Sequence, residues 1–132
     1  MGIFGSPKVV IVEDNESLAE IYKVRLEILG YKCFIAHDGL AAITLIREKQ
    51  PDLVLLDLMI PGISGGDVLA RMRAEEWGKK IKVLVISNLN EAEAPANLRT
   101  LGIEGYQVKA NMADDQLDQL VNNILRPPSA TA

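Results

Sequence analysis

Five short apolar runs recur along the chain, each of four to eight residues and bounded by polar or turn-forming residues. They are rich in Val, Ile and Leu without strict alternation, which is typical of strands that are covered on both faces of a sheet. The pattern predicts strands at residues 8–12, 31–36, 53–57, 81–86 and 104–108.

The segments between these runs carry apolar residues every three or four positions, which predicts helices. The first helix, at 16–29, begins after Asn15 as its N-cap and is closed by Gly30. Its apolar stripe is predicted from four residues at helical spacing, namely Leu18, Ile21, Val24 and Ile28.

Polar caps and prolines bound the other helices. Asp38 caps the second helix and Pro51 ends it, whereas Pro95 makes the fourth helix short or late in starting. The glycine-rich stretch 59–66 is predicted to be a loop. The last three helices are predicted at 67–76, within 91–101, and across a stripe formed by Leu117, Leu120, Val121, Ile124 and Leu125.

Strands that alternate with helices five times specify a doubly wound α/β fold, with a parallel sheet and helices on both faces. With 132 residues, 48% of them hydrophobic, the chain can bury one continuous core. We therefore predict one domain at 8–126, an N-terminal extension at 1–7 and a disordered tail at 127–132.

Composition narrows the class of protein. The formal charge of -4 and the pI near 5.0 disfavour direct nucleic-acid binding. The single cysteine, Cys33, excludes an internal disulfide, and no apolar run reaches the length that a bilayer requires. Without a signal-peptide pattern at its start, the sequence is expected to belong to a cytoplasmic protein with no membrane insertion.

Polar side chains follow the predicted strands at their carboxyl ends, where ligands bind in doubly wound sheets. They comprise three carboxylates, a hydroxyl and an ammonium, from Glu13, Asp14, Asp57, Ser87 and Lys109. Acidic groups this close repel one another unless a cation neutralises them, and oxygen ligands favour Mg²⁺, with Mn²⁺ as an alternative.

Asp57 is the best candidate nucleophile of this group, because it ends the most apolar strand and precedes an open glycine-rich loop. A carboxylate beside a bound cation can attack phosphorus. Lys109 and Ser87 can then pair with the oxygens of the transferred phosphoryl group.

Four segments resemble the signature segments of response-regulator receiver domains, over residues 8 to about 126. They are Val10-Ile-Val-Glu-Asp-Asn15, Leu53-Val-Leu-Leu-Asp57-Leu-Met-Ile-Pro-Gly-Ile-Ser-Gly65, Val83-Leu-Val-Ile-Ser87 and Gly105-Tyr-Gln-Val-Lys109. The resemblance implies a single-domain, CheY-like protein with a flavodoxin-like sheet of order 2-1-3-4-5.

The same resemblance implies a role in two-component signalling. Asp57 takes a phosphoryl group from a sensor histidine kinase or a histidine phosphotransfer protein, so the chain is a phosphoacceptor that assists its own chemistry and is not an enzyme. The metal is held by Glu13, directly or through water, with Asp14, Asp57 and the Met59 carbonyl. Ser87 and Tyr106 act as the switch, and the surface of the fourth helix, fifth strand and fifth helix then binds an effector or a second copy.

Four positions depart from this family or bear on its kinetics. Ala110 stands where a proline usually follows the lysine, so a trans peptide bond is expected, and Asn88 is larger than the usual residue beside the hydroxyl. The resemblance places Met59 and Leu89 beside the phosphoryl group, where neither apolar side chain can orient a water molecule by hydrogen bonding. We therefore predict a long-lived acyl phosphate.

Three other protein classes are alternatives to a phosphorylated receiver. A haloacid-dehalogenase-type phosphatase needs a second Asp two residues after the first, where this chain has Met59. A nucleotide or flavin binder needs a glycine-rich loop after the first strand, where this chain has Glu13 and Asp14. A degenerate receiver that only docks partners is the serious alternative, and Asn88 and Ala110 keep it open.

Overall fold

The computed structural model describes residues 5–126, so the predictions for the first four residues and for the tail at 127–132 lie outside the described residues. All neighbouring strands pair in parallel, in the predicted order 2-1-3-4-5. The strands are β1 (Lys8–Val12), β2 (Lys32–Ala36), β3 (Leu53–Leu56), β4 (Lys82–Ser87) and β5 (Gly105–Val108).

Five helices cover the sheet: α1 (Glu16–Ile28), α2 (Gly39–Lys49), α3 (Gly65–Ala74), α4 (Leu98–Leu101) and α5 (Gln116–Leu125). Alternate residues along each central strand point to opposite faces, which creates two cores. One core packs the sheet against α1 and α5, and the other packs it against α2, α3 and α4. All four residues of β3 are buried between them, as its unbroken apolar sequence predicted.

The predicted helix caps at both ends of α1 are confirmed. Asn15 Oδ1 accepts a hydrogen bond from the Leu18 N–H at 3.0 Å. Gly30 has a φ of +98°, and the N–H groups of Gly30 and Tyr31 donate to the carbonyls of Glu27 and Leu26. This Schellman arrangement turns the chain directly into β2.

The apolar stripe predicted for α1 is wrong at three of its four positions: Leu18 packs against the core, but the other three residues do not. The residues that face the sheet are Ala19, Tyr22 and Leu26, whereas Ile21, Val24 and Ile28 are 54%, 49% and 78% exposed. The helix carries two apolar stripes, and the sheet contacts the one in which small Ala19 allows close approach and Tyr22 and Leu26 bury more surface. Three apolar side chains are left facing solvent.

Helices α3 and α4 differ from the predicted bounds. Helix α3 begins at Gly65, two residues early, because the Ser64 hydroxyl caps it by accepting from the Asp67 N–H at 3.1 Å. Helix α4 has only four residues, after a single 3-10 turn at Glu91–Glu93, so the shortening expected from Pro95 is confirmed. The longest helix, α1, has 13 residues, and among residues 5–126 no helix has the length and apolarity needed to cross a membrane.

Candidate functional site

Polar side chains converge at the carboxyl edge of the sheet. Glu13 follows β1, Asp57 follows β3, Ser87 ends β4 and Lys109 follows β5. Glu13, Asp57 and Ser87 are the buried polar or charged residues of the described chain, with exposed fractions of 2%, 4% and 0%. Because burying a charge without a partner is costly, the contacts of the two carboxylates define the chemistry of the site.

Backbone contacts hold both carboxylates in place. The Asp57 N–H donates to the Val12 carbonyl at 3.1 Å, which extends the β1–β3 pairing by one residue. The His37 Nδ1 donates to the Glu13 carbonyl at 2.8 Å and so fixes the turn after β1. At Gly65 a Cβ would collide with the backbone of Asp57 and Leu58, so glycine alone lets α3 start against the Asp57 peptide.

Lys109 bridges the two buried carboxylates. Its Nζ lies 2.7 Å from Asp57 Oδ2 and 2.5 Å from Glu13 Oε1. The other oxygens accept backbone hydrogen bonds, Asp57 Oδ1 from the Met59 N–H and Glu13 Oε2 from the Asn15 N–H, both at 3.0 Å. Lys109 thus supplies positive charge to both buried carboxylates.

Burial and pairing shift the protonation equilibria in this cluster. Burial raises the pKa of Glu13, although its hydrogen bond to Lys109 acts in the opposite direction. Burial by itself lowers the pKa of Lys109, but hydrogen bonds to Asp57 and Glu13 outweigh it and raise the pKa above its ordinary value. The lysine therefore stays charged at neutral pH.

The acidic residues also form a candidate cation site. Carboxylate oxygens of Glu13, Asp14 and Asp57 lie within 4.8 Å of one another, and Asp14 is exposed to solvent. With all three ionised, three negative charges face the single charge of Lys109, so the site is short of two positive charges. Oxygen donors with this excess charge match a hard divalent cation. The structure thus brings the three carboxylates together, and the roles of Glu13, Asp14, Asp57 and the Met59 carbonyl as metal ligands stay predictions.

The two predicted switch residues meet at Leu89. Its N–H donates to the Ser87 hydroxyl at 3.4 Å, and the Tyr106 hydroxyl donates to its carbonyl at 2.8 Å. Burial raises the pKa of Tyr106, against a smaller lowering by the Ser87 hydroxyl. The peptide bond from Lys109 to Ala110 is trans, as expected for a bond without proline. The segment after β4 therefore links the hydroxyl at the site to β5.

Sequence reasoning missed two features of the site. It expected Lys109 to pair with phosphoryl oxygens and did not foresee that this lysine bridges Asp57 and Glu13, which the surplus of carboxylates over cations could have indicated. No signal in the sequence indicated that the exposed ring of His37 is hydrogen-bonded to the Glu13 carbonyl.

Comparison with known proteins agrees with this geometry. Residues 9–122 match the family described as response regulator receiver domain. The chain is 30% identical over 111 residues to the DNA-binding dual master transcriptional regulator RpaA of Synechocystis, covering 84% of this chain and 46% of RpaA. It therefore spans about half the length of the curated relatives that it matches.

Solved structures give the same result. The signal receiver domain of a putative Luxo repressor protein from Vibrio parahaemolyticus is 31% identical, with a TM-score of 0.80 over 92% of this chain and 91% of that one. Response regulator Rcp1 in its Mn²⁺-bound form is 25% identical, with a TM-score of 0.76 over 93% of this chain and 97% of that one. This chain belongs to the response regulator receiver domain family.

Proposed function

We propose that this domain is a phosphoacceptor in two-component signalling, in which Asp57 takes a phosphoryl group from a phosphohistidine of a sensor histidine kinase or phosphotransfer protein. The bond between phosphorus and the donor imidazole breaks as an Asp57 oxygen bonds to phosphorus. The observation that carries the proposal is the buried Asp57 carboxylate held by Lys109 at 2.7 Å on the carboxyl edge of the sheet.

The hydrogen bonds of Asp57 support this role. The Met59 N–H holds Oδ1 while Lys109 holds Oδ2, so the orientation of the carboxylate is set before a donor arrives. Phosphoryl transfer depends mainly on positioning and charge stabilisation. The mobile ammonium of Lys109 can follow the negative charge from the carboxylate to the transferred phosphoryl oxygens.

The proposal includes a divalent cation, Mg²⁺ or Mn²⁺, held by Glu13, Asp14, Asp57 and the Met59 carbonyl. The clustered carboxylate oxygens of this chain support it, as does the likeness to Rcp1 in its Mn²⁺-bound form. When bound, such an ion neutralises the negative charge of the carboxylates and of the phosphoryl oxygens. A bound ion would thus share with Lys109 the neutralisation of Glu13 and Asp57.

We further propose that Ser87 and Tyr106 report the phosphorylation to the surface of α4, β5 and α5. Both side chains are hydrogen-bonded to the Leu89 backbone. Movement of Ser87 toward a phosphoryl oxygen therefore disturbs the contact that holds Tyr106. The effector or second copy that binds there responds to this change. The domain bounds 8–126 and the cytoplasmic location stay predictions.

We also propose that the phosphodonor protein docks on the exposed apolar stripe of α1. Ile21, Val24 and Ile28 are half to three-quarters exposed on one helix face. A depression of about 290 Å³ beside this stripe is lined by Ile21, Arg25 and also Lys109, which places apolar contact surface next to the acceptor. A helical donor protein can bury this stripe while its phosphohistidine reaches Asp57.

Intact-mass spectrometry after incubation with acetyl phosphate and Mg²⁺ tests the phosphoacceptor function. The wild-type chain is expected to gain one phosphoryl group, and Asp57→Asn none. Asp114→Asn, which removes an exposed carboxylate outside the acidic cluster, is the matched control and keeps the gain. No gain in the wild type, with or without Mg²⁺, would favour a receiver that only docks partners.

A further inference from the structure

The solvent side of α2 carries no charge over its first two turns. Residues 39–46 read Gly-Leu-Ala-Ala-Ile-Thr-Leu-Ile, without one ionisable or amide side chain. Ala42 and Ile46 face the core, but Ala41 and Thr44 are exposed and Leu40 is 59% exposed. A helix that is apolar on all sides normally lies in an interior. Half of this one faces water.

Two shallow depressions flank this exposed face. One, of about 420 Å³, lies toward the edge strand β2 and is lined by Ile35 and Leu45. The other, of about 390 Å³, lies toward α3 and is lined by Ile43 and Trp77. Leu40 and Thr44 line both, so they form an apolar ridge with a hollow on each side.

We propose that this face binds the same face of a second copy of the chain, with the two α2 helices antiparallel. In a twofold dimer the same patch meets itself, so a ridge directly beside a hollow lets the ridge of each copy enter the hollow of the other. Leu40 of each copy then enters the hollow beside Thr44 of the other. The small side chains of Ala41 and Thr44 allow the helices to approach closely.

Charge at the ends of α2 agrees with this pairing. With Leu40 opposite Thr44, the antiparallel register places Arg47 opposite positions 37 and 38, next to Asp38 of the other copy. Asp38 lies at the N-terminus of α2 and Arg47 in its last turn, about 13.5 Å apart along the axis, so both ends pair at once. Arg47 is exposed and has no ion pair among the described residues.

The charge around the two hollows favours a partner that carries both signs of charge. Glu48 lines the hollow beside β2, whereas Arg47, Arg71 and Glu75 line the hollow beside α3. A peptide with charges of one sign meets a like charge at one hollow or the other. A second copy brings both an acid, Asp38, and a base, Arg47, on the same helix.

Sedimentation velocity on the 132-residue chain, from about 10 µM to about 1 mM, tests the dimer. A helix pair buries less than a standard interface of about 1,600 Å², so we expect a concentration-dependent dimer in the micromolar to millimolar range. Leu40→Glu should weaken it at least about tenfold. Ile28→Glu, which alters an even more exposed apolar side chain on α1, is the matched control and should leave it unchanged.

A charge pair tests the register. Arg47→Glu should weaken the dimer by placing two carboxylates together, and adding Asp38→Asn should restore part of the association. Asparagine keeps the helix cap, so the second change removes the repulsion without removing the cap. A chain that stays monomeric at 1 mM, a dimer indifferent to Leu40→Glu, or equal loss in Ile28→Glu would each overturn the proposal. No restoration in the double variant would overturn the antiparallel register.

Discussion

The two edges of the sheet hold charged residues in opposite ways. At the amino edge, β1, β2 and β4 begin with Lys8, Lys32 and Lys82, whose side chains reach solvent. At the carboxyl edge, β1 is followed by Glu13 and β3 by Asp57, and both side chains are almost fully buried. Strand β1 shows both arrangements, since it starts in a solvated lysine and is followed by a desolvated carboxylate.

This difference separates charge that stays in contact with solvent from charge that the fold buries. The amino-edge lysines have weak partners and stay at least partly exposed: Lys8 and Lys82 donate to backbone carbonyls at 3.4 and 3.2 Å, and Lys32 lies 5.8 Å from the Phe34 ring centroid. The carboxyl edge crowds like charges around one ammonium, an arrangement that opposes stability. Repulsion between buried like charges is typical of functional sites.

Replacing one lysine at each edge of the sheet should show the difference between the two edges most clearly. Lys109→Ala leaves two buried carboxylates without a cation, and we expect a loss of about 3 kcal/mol in the free energy of unfolding. Lys82→Ala should change it by less than about 0.5 kcal/mol. Urea denaturation without divalent metal measures both.

Added Mg²⁺ sharpens the same experiment. It should recover much of the stability lost in Lys109→Ala, because a cation that binds only the folded chain stabilises it. Equal losses in the two variants, or no effect of Mg²⁺ on either, would show that the carboxyl edge is an ordinary charged surface.

Removal of the exposed carboxylate of the cluster should weaken metal binding while the fold persists. Asp14 is exposed, so Asp14→Asn leaves both cores intact, but it removes one negative charge from the cation site. We expect the Mg²⁺ affinity, measured by calorimetry, to fall at least about tenfold. Asp114→Asn should keep the wild-type affinity, and an unchanged affinity in Asp14→Asn would exclude that residue as a ligand.

The lifetime of the acyl phosphate should depend on the apolar residue beside Asp57. With Met59 and Leu89 unable to orient a water molecule, the wild-type half-life at neutral pH is expected to be minutes or longer. Met59→Asn supplies an amide that can orient water and should shorten the half-life about tenfold. Leu40→Asn is the control on α2, and a wild-type half-life of seconds would contradict the prediction.

The exposed apolar faces of α1 and α2 should act independently in phosphoryl transfer. Val24→Glu on α1 should slow phosphoryl transfer from a histidine-phosphorylated protein several-fold, because a charge in the buried contact is costly. It should leave transfer from acetyl phosphate unchanged. Leu40→Glu on α2 should have no effect on either transfer, so a common loss in both variants would contradict separate surfaces.

The order of elements could be predicted from the sequence because each strand and helix has its own local signal. Unbroken apolar runs gave the five strands, and Asn15, Gly30 and Asp38 gave helix boundaries that local hydrogen bonds confirm. The buried face of α1 could not be predicted, since both of its stripes are apolar and only packing against the sheet distinguishes them. The Ser64 cap was hidden by the glycines that follow it.

The site could be located from the sequence because parallel strands bring their carboxyl ends to one edge. Its internal pairing could not be predicted, because Glu13 and Lys109 lie 96 residues apart and meet only in the folded sheet. The role of Gly65 was equally hidden, since its close contact with the Asp57 backbone depends on where α3 begins.

Paramagnetic broadening of amide NMR signals by Mn²⁺ tests most directly whether the buried carboxylates form a cation site. At substoichiometric Mn²⁺, signals of residues 13–15, 57–59 and 87–89 should disappear first, while those of Lys8, Lys32 and Lys82 at the opposite edge persist. Broadening that is uniform across the chain, or absent at millimolar Mn²⁺, would contradict a divalent cation site at the carboxyl edge.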